Sequence, residues 1–174
     1  MCLSIWQPWA MAIALGSKRI ETRHWYTPHR GPLAIHAAKH WTLEERGLLQ
    51  EPEWIGALQP VTREMPDIPL GAIVAVCDLV DCRRVESFSD GELLCALLPV
   101  WDVEGHHKWT ENDMGNFEPG RFGWVLANVR ALDVPIPYRG MQGLFDVPDR
   151  LVTNLGGESL TLGDVGAAVM RGPT

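Results

Sequence analysis

The most concentrated chemistry in this chain lies near its start, where Lys18, Glu21 and Arg23 follow a short apolar run in the stretch LSIWQPWAMAIALGSKRIETR. Arg23 offers a planar fork suited to a phosphate or a base edge, and Lys18 a compact point charge. Glu21 can accept hydrogen bonds from an exocyclic amine such as cytosine N4, or serve as a general base if burial raises its pKa. Trp6, Trp9, Trp25 and Tyr26 stand nearby and can stack an unpaired base, worth about 1–3 kcal/mol per base. The plainer alternative is a structural ion-pair network over a tryptophan core. Inside an apolar helix Trp9 reads as core, whereas Trp25 and Tyr26, in a polar loop, read as ligand contacts.

Other constellations carry less. His36 and His40 stand four apart, a spacing that brings two imidazoles to one metal on a helix, but residues 33–38 alternate like a strand. Residues 99–120 hold His106, His107, Asp102, Glu104, Glu111 and Asp113, which reads as a solvated loop and not as a divalent-ion site. One of its acids, Glu111 or Asp113, can still reach over a cleft as a second carboxylate. No Ser/His/Asp arrangement, phosphate-cradling loop or dinucleotide-binding glycine pattern is present, so no cofactor and no metal are expected.

These residues need a scaffold, and 174 residues with 46% hydrophobic and 21% charged side chains suit one soluble globular domain. A net charge of −7 argues against broad wrapping of duplex nucleic acid. Residues 1–41 nevertheless hold Lys18, Arg19, Arg23, Arg30 and Lys39 against Glu21 alone, with four of the six histidines. That asymmetry suggests a local anion-binding face on an acidic body. No apolar run reaches the roughly 18 residues of a membrane helix, and the first residues lack a secretory signal pattern. Cys2, Cys77, Cys82 and Cys95 show no CxxC pair and read as reduced, mostly buried thiols. A cytoplasmic protein away from membranes is expected, with no identifiable protein partner.

Along the chain, Pro8 suits the first position of a buried helix over 9–15, and Gly16 the left-handed residue that ends it. Residues 18–23 follow as a strand-like segment with Glu21 and Arg23 on one face and Thr22 on the other. Residues 33–38 alternate as a strand. Thr42 and Glu45 form a capping box for a helix to about Gln50, and Ser89 with Glu92 a second one for a helix to about Leu98. Between them, 52–69 is loop-rich with a short helical turn around Trp54, and 71–80 is the clearest buried strand. Residues 122–129 make another strand, 134–137 an edge or extended segment because of its prolines, and 140–147 a last short one. A weak helix is predicted near 162–170.

At this point the residues resemble a known family. LSIWQPWAMAIALGSKRIETRHW and RGPLAIHAAK, then GAIVAVCDLVDC, RFGWVLANVRALDVPIPYRG and MQGLFDVP, are similar to the ASCH domain (activating signal cointegrator homology) of the PUA-like superfamily. The GxKxxExR pattern of Gly16, Lys18, Glu21 and Arg23 is its most specific part. The resemblance covers roughly residues 3–39, 70–83 and 120–148. It implies one α+β domain over 1–174, a small PUA-like β-barrel of about five to six strands with helices packed around it. Insertions fall near 40–69 and 84–119, and a C-terminal extension over 149–174.

The resemblance further implies RNA binding, often to single-stranded or modified RNA, in a cleft beneath the first helix. Some members hydrolyse N4-acetylcytidine-type nucleosides through a K-x-x-T motif with a threonine nucleophile, and others are linked to ribonuclease activity. Here Glu21 stands at the threonine position, and Thr22 is one residue off. The leading expectation is therefore a binding module for single-stranded RNA, with single-stranded DNA as a further ligand, that takes up an unpaired or modified base. Lys18, Glu21, Arg23, Trp25, Tyr26, Arg30 and Lys39 would contact the ligand. The alternatives are a small amidohydrolase using Lys18 and Glu21 as an acid/base pair on N4-acylated cytosine nucleosides, and a metal-dependent ribonuclease.

Overall fold

Pro8 and Gly16 bracket the first helix. In a computed structural model, which describes residues 1–58, 68–93 and 110–153, helix α1 spans Trp9–Ala14, and Pro8 caps it one residue earlier than expected. Ala10 to Ala14 are buried, as an all-apolar segment requires. Gly16 has φ +79°, a conformation that costs little without a Cβ. The reversal lets the Gly16 N–H donate to Ile13 O at 2.8 Å and the Lys18 N–H to Ala12 O at 3.0 Å. Lys18 is thereby turned back beneath the helix end.

Six strands follow from β-branched and alternating segments: β1 (Cys2–Ile5), β2 (Ile20–Arg23), β3 (Gly31–Ala37), β4 (Ala72–Arg84), β5 (Phe122–Pro137) and β6 (Leu144–Phe145). They form one sheet in the order β2-β5-β4-β3-β1-β6. β1 and β3 run parallel, and the other neighbours are antiparallel. In a flat sheet β1 and β2 would stand four strand spacings apart, about 19 Å. Yet Arg23 Nη2, on β2, donates to Ser4 O, on β1, at 3.0 Å. One side chain spans that distance only because the sheet curls into a half-barrel. Register shifts between β4 and β5 supply curvature, since a bulge bends and twists its strand. At one of them Asn128 takes φ +50° and donates to Asp78 Oδ2 at 2.8 Å.

The sheet buries both faces. On the concave side α1 packs with Leu3, Leu33, Ile35, Leu79 and Trp124, while Ile73, Val76, Ile136, Phe145 and Leu151 form a second cluster. The expected α+β architecture, a small β-barrel of about five to six strands with helices packed around it, is realised as a six-stranded half-barrel. Helix α2 (Leu43–Leu48) begins at the Thr42/Glu45 capping box, and α3 (Pro52–Ala57) is the helical turn around Trp54. At Ser89 the return arm of the expected box forms, with Glu92 accepting the Ser89 N–H at 2.9 Å and its hydroxyl at 2.8 Å, ahead of a one-turn helix over Asp90–Leu93.

Several boundaries differ from expectation. β1 was not expected as a strand, because its pairing with β3 is long-range. The segments 122–129 and 134–137 are one strand. Its prolines are tolerated because β2 pairs only with Phe122–Val125, leaving the far end bonded to β4 on one side. Only Leu144–Phe145 of the expected 140–147 strand pairs. Cys2, Cys77 and Cys82 are buried free thiols. Cys95, the rest of the helix expected to Leu98, His106 and His107 with Asp102 and Glu104, and the helix near 162–170 lie outside the described residues. Among the described residues no helix is long and apolar enough to cross a membrane.

Candidate functional site

The GxKxxExR residues divide into two adjoining groups. Lys18 is fully buried, so its ammonium has lost its water and must be satisfied by protein. Nζ donates to Ile20 O at 2.5 Å and lies 3.9 Å from Glu111 Oε2 and 4.0 Å from Glu21 Oε2. Glu111 sits in a 3₁₀ turn, Glu111–Met114, set by a third capping box in which Thr110 Oγ donates to Asp113 at 2.9 Å. Its carboxylate also accepts the Arg19 N–H at 2.7 Å and the Ile20 N–H at 3.2 Å. Burial pushes the Glu111 carboxyl above its usual range, opposed by Lys18 and those two N–H groups. Gly115 follows because a Cβ there would stand 2.8 Å from Phe117 and 3.0 Å from Lys18 Nζ.

The second group borders a cavity. Glu21 and Arg23 share a face of β2, with Arg23 Nε 3.1 Å from Glu21 Oε1, and both line a cavity of about 510 Å³. That cavity lies at the seam where β2 curls towards β1. The lining also includes Trp6, Trp9 and Trp54, with Asp113 from the 3₁₀ turn and Asn116 just beyond it. Trp9 and Trp54 meet edge to face at 5.5 Å. Trp6, 50% exposed, rests against His40 at 4.2 Å, and His40 is held 3.2 Å from Glu45. The α2 capping box thus braces the aromatic wall. One end of the cavity can hold charge and hydrogen bonds, and the other offers flat apolar faces.

Of the residues expected to contact ligand, Glu21 and Arg23 meet at the cavity, with Lys18 directly behind Glu21 and off the wall. The others go elsewhere. Trp25 packs edge to face on Trp124 at 4.6 Å, and Tyr26 stands against Phe122 at 5.7 Å. Arg30 bonds to Thr27 O at 3.0 Å and pairs with Asp81 at 3.4 Å. Lys39 is exposed, its stem lying over Gly71. Trp9, read as core, is half-buried and lines the cavity, and Thr22, expected on the opposite face, also borders it. Sequence reading gave Trp54 and Asn116 no role, and only the folded α3 and the segment after the 3₁₀ turn bring them here. Of the two candidate second carboxylates, Asp113 reaches the cavity and Glu111 is buried behind it.

His36 is no metal ligand in this arrangement. Its Nε2 lies 3.1 Å from Tyr138 O, a pure acceptor, so Nε2 carries the hydrogen and Nδ1 accepts from Ser4 Oγ at 3.1 Å. Among the described residues no cluster of three or more His, Cys, Asp or Glu could hold a metal ion.

A helix-capped curled sheet of six strands with a polar and aromatic cavity at its seam defines a small half-barrel fold. Residues 3–136 match the ASCH domain model, and the chain belongs to that family. It is similar to Activating signal cointegrator 1 of Mus musculus, 38% identical over 97 residues, and of Homo sapiens, 42% identical over 91 residues. Each match covers 51% of this chain and 15% of the relative's length, so the chain spans a small part of those proteins. Among solved structures, ASCH from Zymomonas mobilis covers 78% of this chain and 71% of that one, with 15% identity and a TM-score of 0.41.

Proposed function

We propose that this chain binds single-stranded RNA by taking one unpaired or modified base into the seam cavity. The observation that carries this reading is the pairing, in one cavity of about 510 Å³, of the Glu21–Arg23 ion pair with the Trp6, Trp9 and Trp54 wall. That volume suits a nucleoside-sized ligand and is too compact for a length of duplex. In the proposed complex Trp6 and Trp9 stack the base, Glu21 accepts from an exocyclic amine, and Arg23 donates to a base edge or phosphate. Lys18 acts from behind, holding Glu21 in place. A net charge of −7 agrees with recognition that relies on a pocket more than on many phosphate contacts.

Hydrolysis of an acylated cytosine nucleoside is not favoured, because Lys18, the expected acid, is buried and bonded to Ile20 O and is absent from the cavity wall. Titration by tryptophan fluorescence with single-stranded RNA, single-stranded DNA and free nucleosides tests the proposal. Wild type is expected to bind RNA and to lose affinity on Arg23→Ala and on Trp6→Ala. Equal affinity in all three proteins would remove these residues from the site. Incubation with N4-acetylcytidine is expected to release no cytidine.

A further inference from the structure

A second surface adjoins the cavity. Residues directly opposite on neighbouring strands share a face of the sheet. Arg23 pairs with Phe122, and Phe122 pairs with Arg84. These three therefore form one row across β2, β5 and β4 that starts at the cavity wall, with Arg23 and Arg84 about 10 Å apart. The Arg84 guanidinium lies 4.4 Å from the Phe122 ring centroid, and its Nη1 donates to Gly120 O at 2.8 Å. That bond anchors the fork over the ring. Tyr26, 52% exposed, meets the same ring at 5.7 Å.

Nearby arginines are otherwise engaged. Arg83 points to the opposite face, where it pairs with Asp81 and Glu92, and Arg30 pairs with Asp81. Arg84 is exposed, and among the described residues it forms no salt bridge. Glu86 directs its carboxylate to the Gly120 N–H at 2.6 Å, and its own N–H, that bond and the nearby charge of Arg84 hold its carboxyl below the usual range. A cation stacked on an aromatic ring, next to a second exposed ring, is the pairing that grips a phosphate and a base together.

We infer that Tyr26, Phe122 and Arg84 form a second subsite for the nucleotide flanking the one in the cavity. Tyr26 stacks the flanking base, and Arg84, held over Phe122, takes the phosphate that joins the two. This subsite rests on the cavity's binding a base, and it gives Tyr26 a role outside that cavity. It also sets the course of the strand, from Arg23 over Phe122 towards Arg84.

The test compares wild type with Arg84→Ala, Arg84→Lys and Tyr26→Ala. Each is titrated with the four ribonucleosides and with mixed-sequence RNA pentanucleotides at two salt concentrations. Arg84→Ala and Tyr26→Ala are expected to keep wild-type nucleoside affinity and to lose about tenfold in pentanucleotide affinity. Arg84→Ala should also flatten the salt dependence by about one phosphate contact, a slope change near 0.7, while Arg84→Lys restores the slope. Unchanged pentanucleotide affinity and slope in the alanine variants would overturn the subsite and leave the cavity reading standing. Loss of nucleoside affinity in those variants would overturn it too, by merging these residues with the cavity. Failure of wild type to bind either ligand would instead remove the cavity reading, and the subsite with it.

Discussion

Two charge groups lie side by side around β2 in different settings. Lys18 and Glu111 are sealed from water, 3.9 Å apart, and joined to backbone groups on both sides. Glu21 and Arg23, three and five residues beyond Lys18, stand on the cavity wall. The first group ties the 3₁₀ turn to the start of β2, whereas the second presents an ion pair to whatever enters. Glu21 belongs to both, with Oε1 towards Arg23 and Oε2 towards Lys18. Residues of one short motif therefore sit in two settings, one sealed and bonded to backbone, the other on the cavity wall.

Mutagenesis can break this comparison in order of effect. Lys18→Met should be the most damaging, costing up to about 3–5 kcal/mol because buried Glu111 then keeps only the partly exposed Arg19 as a cation. Urea denaturation measures this. Adding Glu111→Leu to Lys18→Met should restore part of the loss, and a double variant whose loss equals the sum of the two single variants' losses would show that the pair is not coupled. On the cavity side the sign reverses. Trp6→Ala should weaken RNA binding by about 1–3 kcal/mol while its unfolding midpoint stays close to wild type. Arg23→Ala should cost about 1.5–3 kcal/mol of binding, as for hydrogen bonds to charged groups, with a smaller stability loss from the freed Ser4 carbonyl. Affinity changes that merely follow stability would erase the distinction between the groups.

A smaller effect sharpens the contrast on the sheet's other face. Desolvation holds the His36 pKa below its ordinary 6.5, against the opposing Tyr138 hydrogen bond. A histidine with a lowered folded pKa binds fewer protons folded than unfolded, so its contribution is complete above pH 6.5 and is lost as pH falls through the folded value. Thermal melts from pH 7.5 downward should show wild type losing stability below 6.5, and His36→Gln should flatten that slope. An identical pH profile in the variant would mean that another group carries the effect.

Local signals were legible where chemistry acts over a few residues. The left-handed turn at Gly16, the shared face of Glu21 and Arg23, and the boxes at Thr42 and Ser89 all follow from neighbours within one turn or one strand. The tryptophans resisted such reading. Trp9 sits in an apolar helix yet lines the cavity, and Trp25, in a polar loop, packs on Trp124. Local polarity does not tell which side of an element will meet another. The acidic 99–120 segment was read as a loop, and its 3₁₀ turn, Glu111 to Met114, instead plugs into the core behind β2.

By itself, then, the sequence determined the helix–glycine–charge unit, the strand-rich α+β class and the ASCH resemblance, because propensity, alternation and capping are short-range. Only the tertiary structure decided that β1 joins the sheet beside β3, that curling brings Arg23 to the Ser4 carbonyl, and that Trp54 and Asn116 complete the cavity. Those contacts join residues far apart in the chain, and their geometry depends on how far the sheet bends, which no local stretch encodes.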